Sequence, residues 1–394
     1  MTTFPMRRQR PLDPPDEFGV LREQGSLHRM TYPDGHEGWL VTSHAVARAI
    51  LADNRFSNRT ELQHQAIPAR AKTVERVKER MPDSGPQPGM FLRMDAPEHT
   101  RFRKLLTGQF TVRRMKALEP RIAEITEGRL DAMTPPADLV SEFALPIPSL
   151  VICELLGVPY EDRETFQRNS ATLLALDLDP DVLIASYQEL AAYLYRLIAS
   201  KRARPDGALL SGLLDDLGDD ELLGVAFLLL IAGHETTANM LGLGAFALLT
   251  NPDQLAIMRD DPSAVDNGVE ELLRHLSIIH AGPIRAALED VEIDGRLIKA
   301  GESVTISIPA ANRDPGHFPS PDRLDLTRST TGHLTFGHGI HQCLGQQLAR
   351  IEMRIALPAL LRRFPGLRLA CAPAEVPMRS DMAIYGVHRL PVTW

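Results

Sequence analysis

The chain is poor in cysteine, has no excess of positive charge and contains no long apolar run free of polar residues. Its three cysteines, Cys153, Cys343 and Cys371, are odd in number and far apart in 394 residues. That excludes the disulfide framework of small secreted proteins, and the chain reads as cytoplasmic. Lysine and arginine total 43 against 51 aspartates and glutamates, a net charge of −8. Without a global positive field to collect phosphates, a primary nucleic-acid-binding role is excluded. The opening segment Met1–Pro15 is basic and proline-rich but lacks the apolar stretch of a signal peptide. There is no internal repeat, no linker that would part domains, no Gly-x-Gly-x-x-Gly after a strand and no cluster of iron–sulfur cysteines. What is present is 44% hydrophobic and 24% charged, the balance of a soluble globular protein with enough chain to bury a cofactor.

The segment Glu221–Thr250 reaches membrane-spanning length, but its middle reads His234, Glu235, Thr236, Thr237 and Asn239. A glutamate at the centre of a bilayer costs about 2.5–3.5 kcal/mol on an insertion scale, taking the aspartate value. No membrane span is therefore expected. The segment reads as a long helix buried in a soluble protein and polar only at its midpoint. Asp219 and Asp220 supply a cap and first-turn acids, and Asn251-Pro252 stops it.

Apolar residues at three- and four-residue steps predict helices over Ser43–Ala52, His99–Gly108, Thr111–Met133, Asp181–Arg204, Ala264–Leu276 and Leu344–Phe364. Strand-like runs lie at Gly38–Thr42, Arg285–Ile293, Ser303–Ile308 and Gly386–Val392, with Asp294-Gly295 as a hairpin turn. Prolines cluster at 82–97 and 309–321 and mark two irregular, ordered crossings. The expected fold is mainly helical, with small peripheral sheets.

The stretch Phe336-Gly337-His338-Gly339-Ile340-His341-Gln342-Cys343-Leu344-Gly345 puts a cysteine at a helix N-terminus behind a glycine-rich turn. Unpaired backbone N–H groups and the positive end of the helix dipole lower a thiol's pKa there and suit it to be a ligand or nucleophile. Gly337 and Gly339 would let the backbone lie flat against something large and planar. Three other readings attach to the same residues: a small buried structural cysteine, a zinc site of His333, His338, His341 and Cys343, or a cysteine nucleophile with a histidine base. Neither the zinc nor the nucleophile reading explains the polar midpoint of the long helix.

Here the sequence resembles the cytochrome P450 family. The family's haem-binding pattern is Phe, two residues, Gly, one residue, Arg or His, one residue, Cys, one residue, Gly. Phe336, Gly339, His341, Cys343 and Gly345 fill every position. Ala232-Gly233-His234-Glu235-Thr236-Thr237 is similar to its oxygen-binding helix motif, in which a glycine opens a groove beside an acid–alcohol pair; alone, the pair could be polar packing that kinks a helix. Glu271-Leu272-Leu273-Arg274 resembles its buried Glu-x-x-Arg, although such a pair on a surface contributes only ~0.2–0.5 kcal/mol. Asp95-Ala96-Pro97-Glu98-His99-Thr100-Arg101-Phe102-Arg103 and the crossing Ala311–Asp325 follow the family order too.

The resemblance implies one P450 domain over 1–394, with haem b (iron protoporphyrin IX) between the long helix and the helix after Cys343. It makes Cys343 the iron ligand and places His99, Arg103, Arg285 and His341 on the haem propionates, where cationic donors make charge-assisted bonds. Thr236 would hydrogen-bond dioxygen or its ordered water, and Glu235 would pass protons inward. Glu271 and Arg274 would lock to Arg323. The implied reaction puts one atom of O2 into a C–H bond or across an alkene and reduces the other to water. With no flavin or NAD site of its own, the chain would draw electrons from a ferredoxin and its reductase. Basic stretches at Arg101, Arg103, Lys104, Arg113, Arg114 and Lys116, and at Arg350, Arg354, Arg362 and Arg363, offer a docking face for an acidic ferredoxin.

The segments that line the substrate pocket in relatives correspond to Thr60–Leu92, Leu173–Asp181, Leu228–Gly233, Ile278–Ile284 and Met382–Tyr385. Leu92, Ile231, Ala232, Ile279, Ile284 and Ile384 are the expected walls, and few charged groups are expected among them. A large apolar molecule fits such walls. The chain's two ends are similar to actinobacterial members that tailor polyketides, so a macrolide or similar antibiotic precursor is the expected substrate class. Two alternatives remain: a zinc-stabilised, non-enzymatic interaction module, and a family member that rearranges peroxides or couples phenols without external electrons. The intact Glu235-Thr236 pair speaks against the latter.

Overall fold

A computed structural model describes residues 2–82 and 85–394. Met1, at the head of Met1–Pro15, and Asp83 and Ser84, in the first proline-rich crossing and in the expected Thr60–Leu92 pocket segment, lie outside the described residues. The chain is mainly helical, and its largest apolar cluster is built around one helix, Asp219–Leu249. At ~1.5 Å per residue this helix is about 46 Å long. Leucines, alanines and glycines around its whole circumference let neighbours approach from several sides. The helices Pro146–Leu156, Pro180–Ala203, Val265–Leu276 and Gln346–Arg363 all pack on it. Among the described residues it is the helix long and apolar enough to cross a membrane, but most of that stretch is buried inside the protein. Its start differs from expectation by one residue: Gly218 is the cap, its N–H donates to Glu221 Oε2 at 3.2 Å, and Asp219 and Asp220 fill the first turn.

A five-stranded sheet stands at one side, ordered Leu27–Thr31, Glu37–Val41, Ser303–Ile306, Ile284–Ala287, Phe56–Ser57. The first two strands form a hairpin with Leu27 opposite Val41; Glu37–Val41 then runs parallel to Ser303–Ile306, with Trp39 opposite Val304. Arg285 pairs with Val304, and Phe56 with Ala287. This register brings Asn58, just past the edge strand, beside Arg285.

Several expected elements are divided. Thr111–Met133 is two helices, Val112–Lys116 and Glu119–Ala132. Pro120 cannot donate to the Lys116 carbonyl and its ring would clash there, so the helix restarts with proline in its first turn. Arg285–Ile293 splits into Ile284–Ala287 and Val291–Ile293, and the latter hairpins with Arg296–Ile298 through Asp294-Gly295, both at positive φ as that turn requires. Of Gly386–Val392 only the end is strand, in Pro391–Thr393. The structure adds the helices Glu17–Gln24, Pro68–Arg80, Pro146–Leu156, Arg163–Leu174 and Pro252–Asp260; Pro146–Leu156 is apolar all round and Pro68–Arg80 polar nearly throughout, so neither carries a one-sided apolar pattern.

Candidate active site

Cys343 lies in a loop closed on itself: its N–H donates to the Phe336 carbonyl at 2.8 Å, and Gln342 N–H to Gly339 O at 3.1 Å. The residue shows open surface, yet burial pushes its thiol up, outweighing the Gly345 backbone N–H and the charges of Arg103 and Arg350 that favour the thiolate. Open surface and deep burial together mean that Cys343 faces an interior recess and not bulk water. The expected lowering of its pKa by the helix terminus is therefore overruled: without a metal to displace the proton, Cys343 is a thiol. The Phe336 ring lies under Arg350, whose guanidinium is 4.4 Å from its centroid.

The two glycines expected to admit a planar group separate. Beside Gly337, at positive φ, there is open space, as there is beside Gly345; a Cβ on Gly339 would lie 2.3 Å from the Leu51 carbonyl. Gly339 is thus required by the end of the helix His44–Ala52. A Cβ on Gly233 would meet the tip of the Ile152 side chain at 2.6 Å. Gly233 packs against the helix Pro146–Leu156, and the preceding residue, Ala232, is exposed in the middle of a buried helix.

Next to the cysteine loop four nitrogen-bearing side chains crowd together. His99 is buried and both its ring nitrogens lack partners. Its ring centroid is 4.2 Å from that of His341. Burial, then the charges of His99, Arg285 and Arg103, push His341 down to about 3. Arg285 is buried and brought down to about 10; it donates to Asn58 Oδ1 and, at 3.0 Å, to the Ile284 carbonyl. Arg103 Nη2 donates to Gln342 O at 2.6 Å. Among the described residues none of these four makes an ion pair with a carboxylate. The zinc alternative finds no such convergence: His333 Nε2 meets Glu270 Oε2 at 2.9 Å, and no group of three or more potential metal ligands exists among the described residues.

On the long helix, Thr236 donates its hydroxyl to Ala232 O at 2.7 Å and leaves its lone pairs free. Glu235 is buried and accepts from Arg379 Nη2 at 3.1 Å and from Asn239 Nδ2 at 3.4 Å. His234, wholly buried and kept neutral by that burial, donates Nδ1–H to Leu230 O and leaves Nε2 unpartnered, 3.8 Å from Glu235 Oε1.

The buried Glu-x-x-Arg is present, but its third member is not Arg323, which is exposed. Arg274 grips Glu271 through Nε and Nη2 at 2.7 and 2.8 Å, and Arg328 completes the set with Nε 3.3 Å from Glu271 Oε1. Arg328 also donates to the carbonyls of Pro319, Ser320 and Arg323, pinning the proline-rich crossing. Asn312 links this knot to the cysteine loop: its Oδ1 accepts from Leu334 N–H at 2.7 Å and its Nδ2 donates to Thr335 Oγ1 at 3.0 Å. The only signal for Arg328 was a second arginine just past the prolines.

The expected walls are varied. Leu92 and Ala232 are exposed, Ile231 and Ile279 half-buried, Ile284 sits against the cluster of Phe4 and Tyr32, and Ile384 is buried and bridged to Ile279. A cavity of about 770 Å³ with largely apolar walls opens among Phe4, Tyr32, Ala66–Ala69 and Ala175–Leu178. Its charged lining residues are Asp177 and Asp381. Of the basic stretches, Arg101 pairs with Glu221, Arg350 with Glu270, Arg354 with Asp266 and Arg363 with Asp131. Lys104, Arg113, Arg114, Lys116 and Arg362 are exposed and pair with no carboxylate among the described residues.

Residues 195–380 match the family model described as Cytochrome P450. A Streptomyces protein named cytochrome P450 105C1 is 50% identical over 100% of this chain and 98% of its own length. The crystal structure of CYP105P1 in complex with filipin I superposes with a TM-score of 0.91 at 43% identity, covering 100% of this chain and 98% of that one. That of the mycinamicin VIII C21 methyl hydroxylase MycCI from Micromonospora griseorubida, bound to mycinamicin VIII, gives 0.92 at 36% identity over the whole of both chains.

Proposed function

Starting from a chain that belongs to the cytochrome P450 family and is one of its monooxygenases, we propose that it hydroxylates or epoxidises a large, mostly apolar natural product of the macrolide kind. It would act as one cytoplasmic domain over 1–394, with electrons from a ferredoxin and its reductase. The observation that carries this is Cys343, open to an interior recess beside His99, Arg103, Arg285 and His341, which make no ion pair with a carboxylate. These residues fit a haem: a thiol for iron, four potential cations for two propionates, and open space beside Gly337 and Gly345. When bound, a thiolate-ligated haem supplies O2 activation and O–O cleavage.

The chain's own groups do the rest. Gly345 N–H, Arg103 and Arg350 favour the Cys343 thiolate once its proton is displaced. Thr236 holds its proton toward Ala232 O and keeps lone pairs for a donor in the recess; Glu235, between Arg379 and Asn239, is the acid from which protons reach it. Leu92, Ile231, Ala232 and Ile279 exclude water and orient an apolar body. The exposed, unpaired Lys104, Arg113, Arg114, Lys116 and Arg362 form the face for an acidic ferredoxin. The mycinamicin hydroxylase among the similar structures supports the substrate class.

The test is a haem spin-state titration against macrolides, polyenes, steroids and fatty acids, followed by product mass analysis. A product heavier by one oxygen atom is expected. The reduced carbon monoxide complex should show the red-shifted Soret band of thiolate ligation, and Cys343→Ala should abolish it. A persisting band in that variant would show that another residue holds the iron.

A further inference from the structure

Glu270, on the helix Val265–Leu276, fastens both arms of the cysteine loop. Its Oε1 accepts from Arg350 Nε at 2.6 Å and its Oε2 from Arg350 Nη2 at 2.9 Å, the two-pronged geometry of a guanidinium on a carboxylate. The same Oε2 accepts from His333 Nε2 at 2.9 Å. The Thr335 N–H donates to His333 Nδ1 at 3.3 Å, so Nε2 carries the proton shared with Glu270. His333 lies ten residues before Cys343 and Arg350 seven after it. One carboxylate thus holds the chain on each side of the cysteine. Burial would raise the Glu270 carboxyl, but the bonds from His333 and Arg350 outweigh it and bring it down to about 2. The Glu270 and Arg350 side chains are only 20% and 16% exposed, on the wall of a polar groove of about 610 Å³ that also includes His333 and Gln342. Arg350 pairs with no other carboxylate among the described residues, whereas the neighbouring Arg354 lies 3.1 Å from Asp266 Oδ1 and 3.6 Å from Glu270 Oε1.

Arg350 reaches the cysteine in two ways. Its guanidinium lies 4.4 Å from the Phe336 ring centroid, and the Phe336 carbonyl accepts the Cys343 N–H at 2.8 Å. Its charge also favours the Cys343 thiolate. Resting on the haem–thiolate reading above, we infer that Glu270 is a positioning residue that sets the reduction potential of the bound haem, by holding Arg350 over Phe336 and cancelling part of the field that Arg350 exerts at the Cys343 sulfur. One-electron reduction from ferric to ferrous adds a negative charge to the iron–thiolate unit, which a nearby cation favours and a nearby anion opposes. An uncompensated Arg350 would make the centre easier to reduce, and Glu270 makes it harder. Both groups are largely shielded from solvent, so salt screens them less than it screens an exposed pair. Arg363–Asp131, on the far end of the same helix, is such an exposed pair, at 46% and 64% exposure and about 20 Å further along.

The test is a redox titration of the holoenzyme, followed by absorbance, on the parent, Glu270→Gln, Arg350→Gln, the double variant and Asp131→Asn. At a fixed applied potential Glu270→Gln should raise the ferrous-to-ferric ratio about threefold or more, ~28 mV at 59 mV per tenfold. Arg350→Gln should lower the ratio by a similar factor, and the double variant should return to within about twofold of the parent. Asp131→Asn makes the same change in net charge at a distance and should leave the ratio unmoved. No shift in Glu270→Gln, shifts of the same sign in the two single variants, or an equal rise in Asp131→Asn each overturns the proposal. Lost thermal stability with an unmoved potential would make Glu270 a structural clasp alone and overturns it as well. Arg350→Gln carries the opposite sign and decides the question by itself if Glu270→Gln fails to take up haem. The parent's reduced carbon monoxide spectrum reads the haem–thiolate assignment before any variant is made: a missing thiolate band sinks that assignment, whereas a normal band with an unmoved potential sinks only the role of Glu270.

Discussion

Arg379 sets its Nη2 3.1 Å from Glu235 Oε2, joining the chain's last irregular stretch to the middle of the long helix 144 residues earlier. The side chains are 12% and 4% exposed, so this is a buried ion pair. With Asn239 Nδ2 donating to the same oxygen, the acid assigned to proton delivery is held in place.

Removing one partner of a buried pair strands the other, typically at ~3–5 kcal/mol. Arg379→Met should therefore lower stability by about 3 kcal/mol and slow product formation as Glu235 loses its anchor. Adding Glu235→Gln should recover part of the stability but none of the turnover. A double-mutant cycle by chemical denaturation, with turnover measured on the same four proteins, checks this; strictly additive losses would mean the pair is not coupled.

Thr236→Ala should consume reductant, release hydrogen peroxide and make little product. Product per electron pair should drop about tenfold or more, the smaller end of what a positioned proton-transfer group contributes. Thr236→Ser keeps the hydroxyl and should restore much of the coupling. Unchanged coupling in the alanine variant would leave the hydroxyl with its helix-internal bond to Ala232 alone.

The Glu271 knot separates two arginines that look equivalent in the chain. Arg328→Ala should cost about 2 kcal/mol by removing one charge-assisted bond to Glu271 and the bonds to three carbonyls of the crossing. Arg323→Ala, at an exposed site, should stay within about 0.5 kcal/mol of the parent. Thermal and denaturant unfolding of the two variants side by side settles the order, and a larger loss for Arg323 would refute the assignment.

His280 gives a pH dependence. It is buried against Tyr385, bonded by Nδ1 to the Met382 carbonyl at 3.3 Å, and brought down to about 4 by burial and by Arg8. Its folded value lies below its unfolded one, so the unfolded chain binds more protons between pH 6.5 and 4. Its contribution is fully present above pH 6.5 and is lost as pH falls through that window, by up to about 3 kcal/mol. His280→Asn should flatten this part of the stability profile; equal slopes for variant and parent would assign the acid sensitivity elsewhere.

The features legible in the sequence were those written in contiguous residues. The cysteine loop from Phe336 to Gly345, the Glu235-Thr236 pair in an apolar helix and the Glu271-x-x-Arg274 spacing each depend on backbone that is local, and helical periodicity located most elements around them. Pro68–Arg80 escaped because it is polar nearly throughout and buries only Thr73, so no run of apolar residues marks it.

What only the tertiary structure decided is pairing across distance. Whether Arg323 or Arg328 reaches Glu271 depends on how the proline-rich crossing folds back, and nothing near Glu235 announces Arg379. A glycine shows the same division. Gly339 could be read as an opening for a cofactor, but the Leu51 carbonyl claims that space. Residue type fixes what a side chain can do, and the fold fixes how much water and which partner it has left to do it with.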